Sequence, residues 1–258
     1  TMIDQLWLIP LGVAAGMLGS MIGLGGGIIV VPVLTFLGFP PTAAASNSLF
    51  AALSNAIAST VSYSKQKRIE FSLGLKLGLL SVPGTVLGAV ISTDTAPEIF
   101  KILFGFVLIA SAAYIFLRRK IESKEKTLSK QMMIFAVGAS FFAGIISSFF
   151  GIGGGIIFVP LMVVGMGMAM KRAAPTSQLI LLFASLSGVI VHSLLGHPDF
   201  LQAGFLAIGS FIGGLVGARL SIDIKERYLQ ILVSVVILIA AGKLFFDSMF
   251  GNSNFFGF

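Results

Sequence analysis

Two decamers carry the chemistry that the chain offers most plainly. GLGGGIIVVP runs from residue 23 to 32 and GIGGGIIFVP from 151 to 160, with eight of ten positions identical. Glycine admits positive φ and close backbone approach. Each cluster runs straight into an apolar segment with helical character, and the first turn of a helix has unpaired N–H groups and a positive dipole end. Gly23, Gly25, Gly26 and Gly27, with Gly151, Gly153, Gly154 and Gly155, therefore form candidate anion cradles made of backbone alone. Taken singly, such clusters also serve helix packing or tight turns. A dinucleotide or P-loop role is not expected: neither cluster ends in GK[ST], and no strand–turn–helix context is apparent.

A second polar set repeats downstream. AAASNSL (43–49) aligns with AAPTSQL (173–179), placing Ser46, Asn47 and Ser48 beside Thr176, Ser177 and Gln178. Their hydroxyls and amides are donors that complete an anion's shell without fixing it as a charge would; helix capping and interhelical bonding are the alternatives. Ser20, Ser147 and Ser148, just before the glycines, are weaker candidates, and Asn55 has no matching amide. Lys76 is expected to snorkel. His192 and His197 are expected at or beyond the outer membrane edge in a loop role, without a carboxylate cluster for proton relay or metal. Glu70, Asp94, Glu98, Asp223 and Glu226 all lie at segment ends, so no acid is expected deep in the chain.

The elements that must position these residues are membrane elements. The 258-residue chain is 56% hydrophobic and 10% charged, and its mean hydropathy is +1.02. A soluble domain would be about one quarter charged. Punctuation by glycine, proline and charge leaves ten apolar stretches: 6–22, 26–37, 43–64, 70–92, 97–117, 131–150, 154–170, 174–195, 200–218 and 226–246. A crossing helix needs about 20 apolar residues. The third, fourth and fifth stretches of each half meet that length. The first two flank the glycine cluster as arms of one hairpin. Ten full crossings, or six with two re-entrant hairpins, both fit.

The repeat covers each half: the glycine decamers are offset by 128, the AAASNSL element by 130, and VLGAV (86–90) with LVGAR (215–219) by 129. The expected division is 1–117 as first repeat, 118–130 as basic linker and 131–258 as second repeat. Fourteen of the 17 Lys and Arg residues fall in four places: 65–68, 118–130, 171–172 and 219–227; Lys76, Lys101 and Lys243 are the remainder. With those loops in the cytoplasm, the loop after the third stretch is inside and the loop after its repeat, the eighth, is outside. The halves are then inverted relative to each other, a transporter plan. The fold expected is an all-α integral membrane protein of two inverted-topology repeats. Each has about five helical segments and a broken, glycine-rich helical hairpin. The location expected is the inner (plasma) membrane, multi-pass, with both termini outside.

The net charge of +7 sits in short loops, so nucleic acid is not an expected partner. Cysteine is absent, which excludes disulfides and thiolate metal sites. Thr1 ahead of Met2 reads as extraneous, and only Asp4 precedes the first apolar run, so no cleavable signal is expected. Without HExxH, cysteine or a buried acid pair, an intramembrane enzyme is disfavoured.

The paired glycine hairpins, the AAASNSL/AAPTSQL element and the duplication, over about Leu6 to Phe246, resemble the sulfite exporter TauE/SafE family. The resemblance implies transport of a small sulfur-containing anion such as sulfite, thiosulfate or an organosulfonate; the inverted-repeat plan points to alternating access, an anion channel is the alternative, and no cofactor or metal is expected. It carries substrate contact over to the two glycine clusters and the two polar triplets. Pro175, opposite Ala45, is a departure. Substrate, direction, coupling ion and oligomeric state stay open.

Overall fold

The computed structural model describes residues 5–117 and 130–223, with isolated positions at 235, 238 and 242. The tenth apolar stretch and nearly all of the linker lie outside the described residues, and so does the end of the second repeat. The helices in order are α1 (Leu8–Ile22), α2 (Gly27–Phe36), α3 (Pro41–Lys65), α4 (Phe71–Thr93), α5 (Pro97–Leu117), α6 (Lys130–Phe150), α7 (Gly155–Pro160), α8 (Met170–Leu194) and α9 (Phe200–Leu220). A π-helical turn, Leu161–Gly165, continues α7. The described residues contain no strand.

Local chemistry explains several boundaries. Gly23 is left-handed at φ 80° and its N–H closes on the Gly19 carbonyl, ending α1 as glycine C-caps do. Pro41 occupies the first turn of α3, where its missing N–H costs nothing. Asp199 caps α9 by accepting from the Leu201 and Gln202 amides at 3.0 and 3.2 Å. The seventh stretch, expected to run to residue 170, is helical only to Gly165; Gly167 at φ 70° then turns the chain, as Gly38 at φ 85° does after α2.

Packing is reciprocal between the halves. α1 lies along α9, as α6 lies along α4; α3 packs on α9, as α8 packs on α4; and α3 crosses α8. These contacts are backbone-close. A Cβ on Gly209 or Gly213 would strike the Ile9 or Val13 carbonyl of α1, and one on Gly84 or Gly144 would strike the facing carbonyl of Phe141 or Ser81. Helices in lipid gain nothing from hiding apolar surface from water, so such close approach is what holds them. Outward faces carry large apolar side chains, among them Leu75, Leu79 and Leu80 on α4 and Ile208, Phe211 and Ile212 on α9. Lys76 also faces outward, one to two turns from the start of α4.

Four helices among the described residues are long and apolar enough to cross a membrane: Phe71–Thr93, Met132–Phe150, Met170–Leu194 and Phe200–Leu220. The third stretch was expected to join them. Its helix, α3, has the same 25-residue length as α8 but includes Ser46, Asn47, Ser48, Asn55, Ser59 and Ser62, all buried against other helices. Its polarity belongs to a central position rather than a lipid-facing one.

The basic loops gather at one end. Arg68 donates to the Lys171 carbonyl, to Gln66 Oε1 and to Ser221 Oγ, each at 2.9 Å, and Arg172 pairs with Glu70 at 2.6 Å. Lys67, Arg68, Lys171, Arg172 and Ile222 line a depression of about 240 Å³ there. Partial burial pulls the Arg68 guanidinium below its usual range. At the opposite end the loops without Lys or Arg meet: Asn47 Oδ1 accepts from the Asp199 amide at 2.9 Å, and Thr93 Oγ1 lies 3.4 Å from His197 Nε2.

Candidate functional site

The two glycine bends touch. A Cβ on Gly27 would collide with the Gly151 carbonyl, and one on Gly155 with the Gly23 carbonyl, so the first residue of α2 sits on the second bend and the first residue of α7 on the first. Gly23, Gly25, Gly151, Gly153 and Gly154 have φ between 71° and 82°, which glycine alone adopts freely. Side chains would not fit at several of them: a Cβ on Gly23 would lie 2.6 Å from Ala174 Cα, and Cβ atoms on Gly25 and Gly153 would lie 2.7 and 3.0 Å from Leu181 Cδ2. Leu181 of α8 therefore stands between the bends.

Each bend is braced by the opposite half. Ser48 Oγ donates to the Gly151 carbonyl at 2.8 Å, and Ser177 Oγ to the Gly23 carbonyl at 2.7 Å. Gln178 Nε2 adds a bond to the Gly19 carbonyl at 3.0 Å. The remaining members of the triplets serve elsewhere. Asn47 Nδ2 donates to Gln202 Oε1 at 3.0 Å while its Oδ1 receives the Asp199 amide, tying α3 to the start of α9. Thr176 Oγ1 receives the Glu70 amide at 3.0 Å and donates to the Arg172 carbonyl at 2.7 Å, tying α8 to the start of α4. Ser46 donates within its own helix, to the Ala43 carbonyl at 3.1 Å. All six side chains are fully buried.

These bonds set the register. Asn47 corresponds to Thr176 and Ser48 to Ser177, an offset of 129, one residue from the alignment of the AAASNSL element. Pro175 then stands opposite Ser46 rather than Ala45. Asn47→Ala removes two buried bonds and strands the Asp199 N–H, which costs about 1–3 kcal/mol. A thermal melt of the purified protein is expected to drop for Asn47→Ala and to stay near wild type for Ser46→Ala.

Donors are concentrated at the bends and charges are not. Among the described residues, no acceptor meets the amides of Gly26, Gly27 and Ile28, or those of Gly154, Gly155 and Ile156. Ser147 Oγ, Ser148 Oγ, Ser185 Oγ and Gln178 Oε1 are buried without partners. No Lys, Arg, Asp or Glu is buried, and no group of residues forms a metal site, among the described residues. Ser20 is spent on the Met17 carbonyl at 3.0 Å. Asn55 Oδ1 accepts from Ser59 at 3.2 Å, on the far side of α3 where Gly214 packs.

His192 departs from its expected place. It is fully buried in the last turn of α8, with Nε2 3.0 Å from the Ser148 carbonyl that precedes the second bend. Its Nδ1 lies 2.8 Å from Nδ1 of His197. Tyr63 is the counterpart in the first half: fully buried, its hydroxyl donates to the Ser20 carbonyl at 2.9 Å, and Arg68 covers its ring at 5.1 Å. Hydropathy and charge counting do not single out Tyr63. The signal was the repeat itself, since residues 63 and 192 keep the 129 offset and Ser20 and Ser148 keep 128.

Comparison with known proteins agrees with this architecture. The family model described as "Sulfite exporter TauE/SafE" matches residues 8–244. The chain is similar to the probable membrane transporter protein YunE of Bacillus subtilis, at 29% identity over 94% of this chain and 98% of that protein. It is similar to YjnA of the same organism at 27%, over 92% and 98%, and to YfcA of Escherichia coli K12 at 22%, over 91% and 87%. Both are also named probable membrane transporter proteins. No solved structure matches the chain.

Proposed function

The chain belongs to the sulfite exporter TauE/SafE family and is a multi-pass membrane transporter; from that premise we propose that it carries a small sulfur-containing anion by alternating access. The anion is held at the starts of α2 and α7, where the two glycine bends meet. One observation carries the reading: two sets of unpaired amides are brought together in a buried region that, among the described residues, holds no charged side chain. Amide and hydroxyl donors suit a fully ionised sulfonate, sulfite or thiosulfate, which offers acceptor oxygens and no donor. A site without an Arg clamp binds more weakly and releases more easily.

Ser48, Ser177 and Gln178 act in this reading through the bends. They hold the carbonyls of Gly151, Gly23 and Gly19 and so leave the amide faces free to turn toward the guest. The polar triplets thus lie at the site as braces, with Asn47 and Thr176 one step further out. Reciprocal packing supports matched halves: the Ser48–Gly151 bond has its mate in Ser177–Gly23, while the Gln178–Gly19 bond has none, so a rocking motion that loosens one bend can tighten the other. The basic end is cytoplasmic in this arrangement.

Reconstituted protein is to be tested against sulfite, thiosulfate, sulfate, sulfoacetate and taurine. Saturable uptake of at least one sulfur anion, with counterflow, is the expected result. Uptake that fails to saturate for every compound, or a conductance far above transporter turnover, overturns it in favour of a channel.

A further inference from the structure

The two halves brace their bends with different chemistry. In the first half Tyr63 reaches the Ser20 carbonyl and Arg68 covers its ring. Neither side chain changes charge near neutral pH. In the second half the same positions hold His192 and His197, the only two histidines of the chain.

The geometry of that pair restricts its protons. His192 Nε2 faces a carbonyl, so it carries hydrogen and donates. In the neutral ring Nδ1 of His192 is then an acceptor. Nδ1 of His197, 2.8 Å away, must be the donor. Nε2 of His197 is left as an acceptor beside the Thr93 hydroxyl at 3.4 Å. The neutral pair therefore has its two rings in opposite tautomers. One added proton enters at His197 Nε2, and Thr93 Oγ1, whose own hydrogen goes to the Ala89 carbonyl at 3.3 Å, accepts from it. The N–H···N bond between the rings survives and becomes charge-assisted. A second proton would set two N–H groups face to face and is excluded.

We propose that His192 and His197 together form a one-proton coupling site. Its cation neutralises an anion seated at the second bend, so that proton and anion are taken up together. This rests on the anion-binding reading above. The charge is needed because an anion in lipid has no buried cation to meet among the described residues. It is in place because the pair is bonded to Ser148, three residues before Gly151. Among the described residues, the other charges at this end are few. From the loop after α4 comes Asp94, next to Thr93; from the start of α9 comes Asp199, occupied in capping. Neither forms an ion pair with a ring among the described residues. α5 brings Glu98 and Lys101, but it is Phe100 that packs on Phe149 and Phe150. α3 and α6 bring no charged residue to the pair. Burial holds His197 below its ordinary range, which favours the neutral form of the pair.

The test has two readouts on the intact chain in nanodiscs. Because there are only two histidines, ¹⁵N-histidine NMR reads each ring. At about pH 8 one Nε2–H and one Nδ1–H tautomer are expected, and adding thiosulfate is expected to raise the apparent pKa of the pair. Calorimetry with thiosulfate, which does not itself titrate between about pH 6 and pH 8, is expected to show Kd falling about tenfold per pH unit on acidification. That slope holds between the pair's pKa without and with the anion, because linkage is reciprocal. His197→Gln is expected to abolish the slope and leave the weaker, high-pH affinity; wild-type NMR stands if that variant fails to fold. Matching tautomers, or thiosulfate binding with no pH slope, overturns the coupling site and leaves the transport reading intact. Absence of binding for thiosulfate and for sulfoacetate at every pH overturns both.

Discussion

Gly27→Ala yields a folded protein that does not transport, and Gly155→Ala does the same. A single methyl group at Gly27 is driven into the Gly151 carbonyl, with the Ser48 hydroxyl 2.8 Å away on another side; at Gly155 it meets the Gly23 carbonyl and the backbone of Leu24. Backbone cannot step aside as a side-chain tip can, so the bends separate and the Ser48–Gly151 or Ser177–Gly23 bond is lost with them. Overpacking of this kind costs about 1–3 kcal/mol, below the about 5–15 kcal/mol that a typical fold holds in reserve. Function does not have that margin, because a displacement of about 1 Å at a site of oriented donors is enough to lose about 100-fold in rate. The measurement is initial uptake in proteoliposomes, normalised to monodisperse protein. Gly204→Ala is the control: it lies in α9 with nothing within 4 Å of its added methyl, and its uptake is expected to match wild type. Uptake within a few-fold of wild type for Gly27→Ala and Gly155→Ala would remove the contact between the bends from the mechanism.

A larger loss, of the fold itself, is expected from Gly209→Val and Gly144→Val. Each glycine is the point where two helices meet backbone to backbone: Gly209 on the Ile9 carbonyl, between α9 and α1, and Gly144 on the Ser81 carbonyl, between α6 and α4. The pairs are each other's counterparts in the reciprocal packing. Three added carbons force the helices apart along their whole length, and next to Gly209 the Ser210 hydroxyl loses its 3.1 Å bond to the Gly12 carbonyl. In lipid no hydrophobic term compensates for that separation. Size-exclusion profiles of fluorescent fusions are expected to lose the monodisperse peak for both variants and to keep it for Gly204→Ala. A monodisperse peak with an unchanged melting temperature would show that these helices do not depend on the contact.

The two variant sets separate what the residues could and could not announce. GLGGG and GIGGG are visible as sequence, and so is their entry into apolar helices, because glycine runs and hydropathy are local properties. The loop charges at Lys67, Arg68, Lys171 and Arg172 are equally visible, and they do collect at one end. What hydroxyls do is not local. Ser48 and Ser177 looked like donors to a guest, yet their hydrogens go to backbone carbonyls about a hundred or more residues away in the chain. Asn47 and Thr176 looked the same and instead hold the starts of α9 and α4.

His192 shows the same division most sharply. Counting residues from the polar loop 195–199 places it at the membrane edge in a loop role, whereas the packing of α8 buries it against Ser148. Composition, spacing and duplication determined by themselves that this is a helical membrane protein of two similar halves with a glycine bend in each. Only the tertiary structure decided that the bends touch, that each half braces the other, and that the braces differ between tyrosine and histidine. The reason is physical: hydropathy and backbone freedom are properties of a residue and its near neighbours, while a hydrogen bond across α3, α6 and α8 exists only after those helices have chosen their crossing.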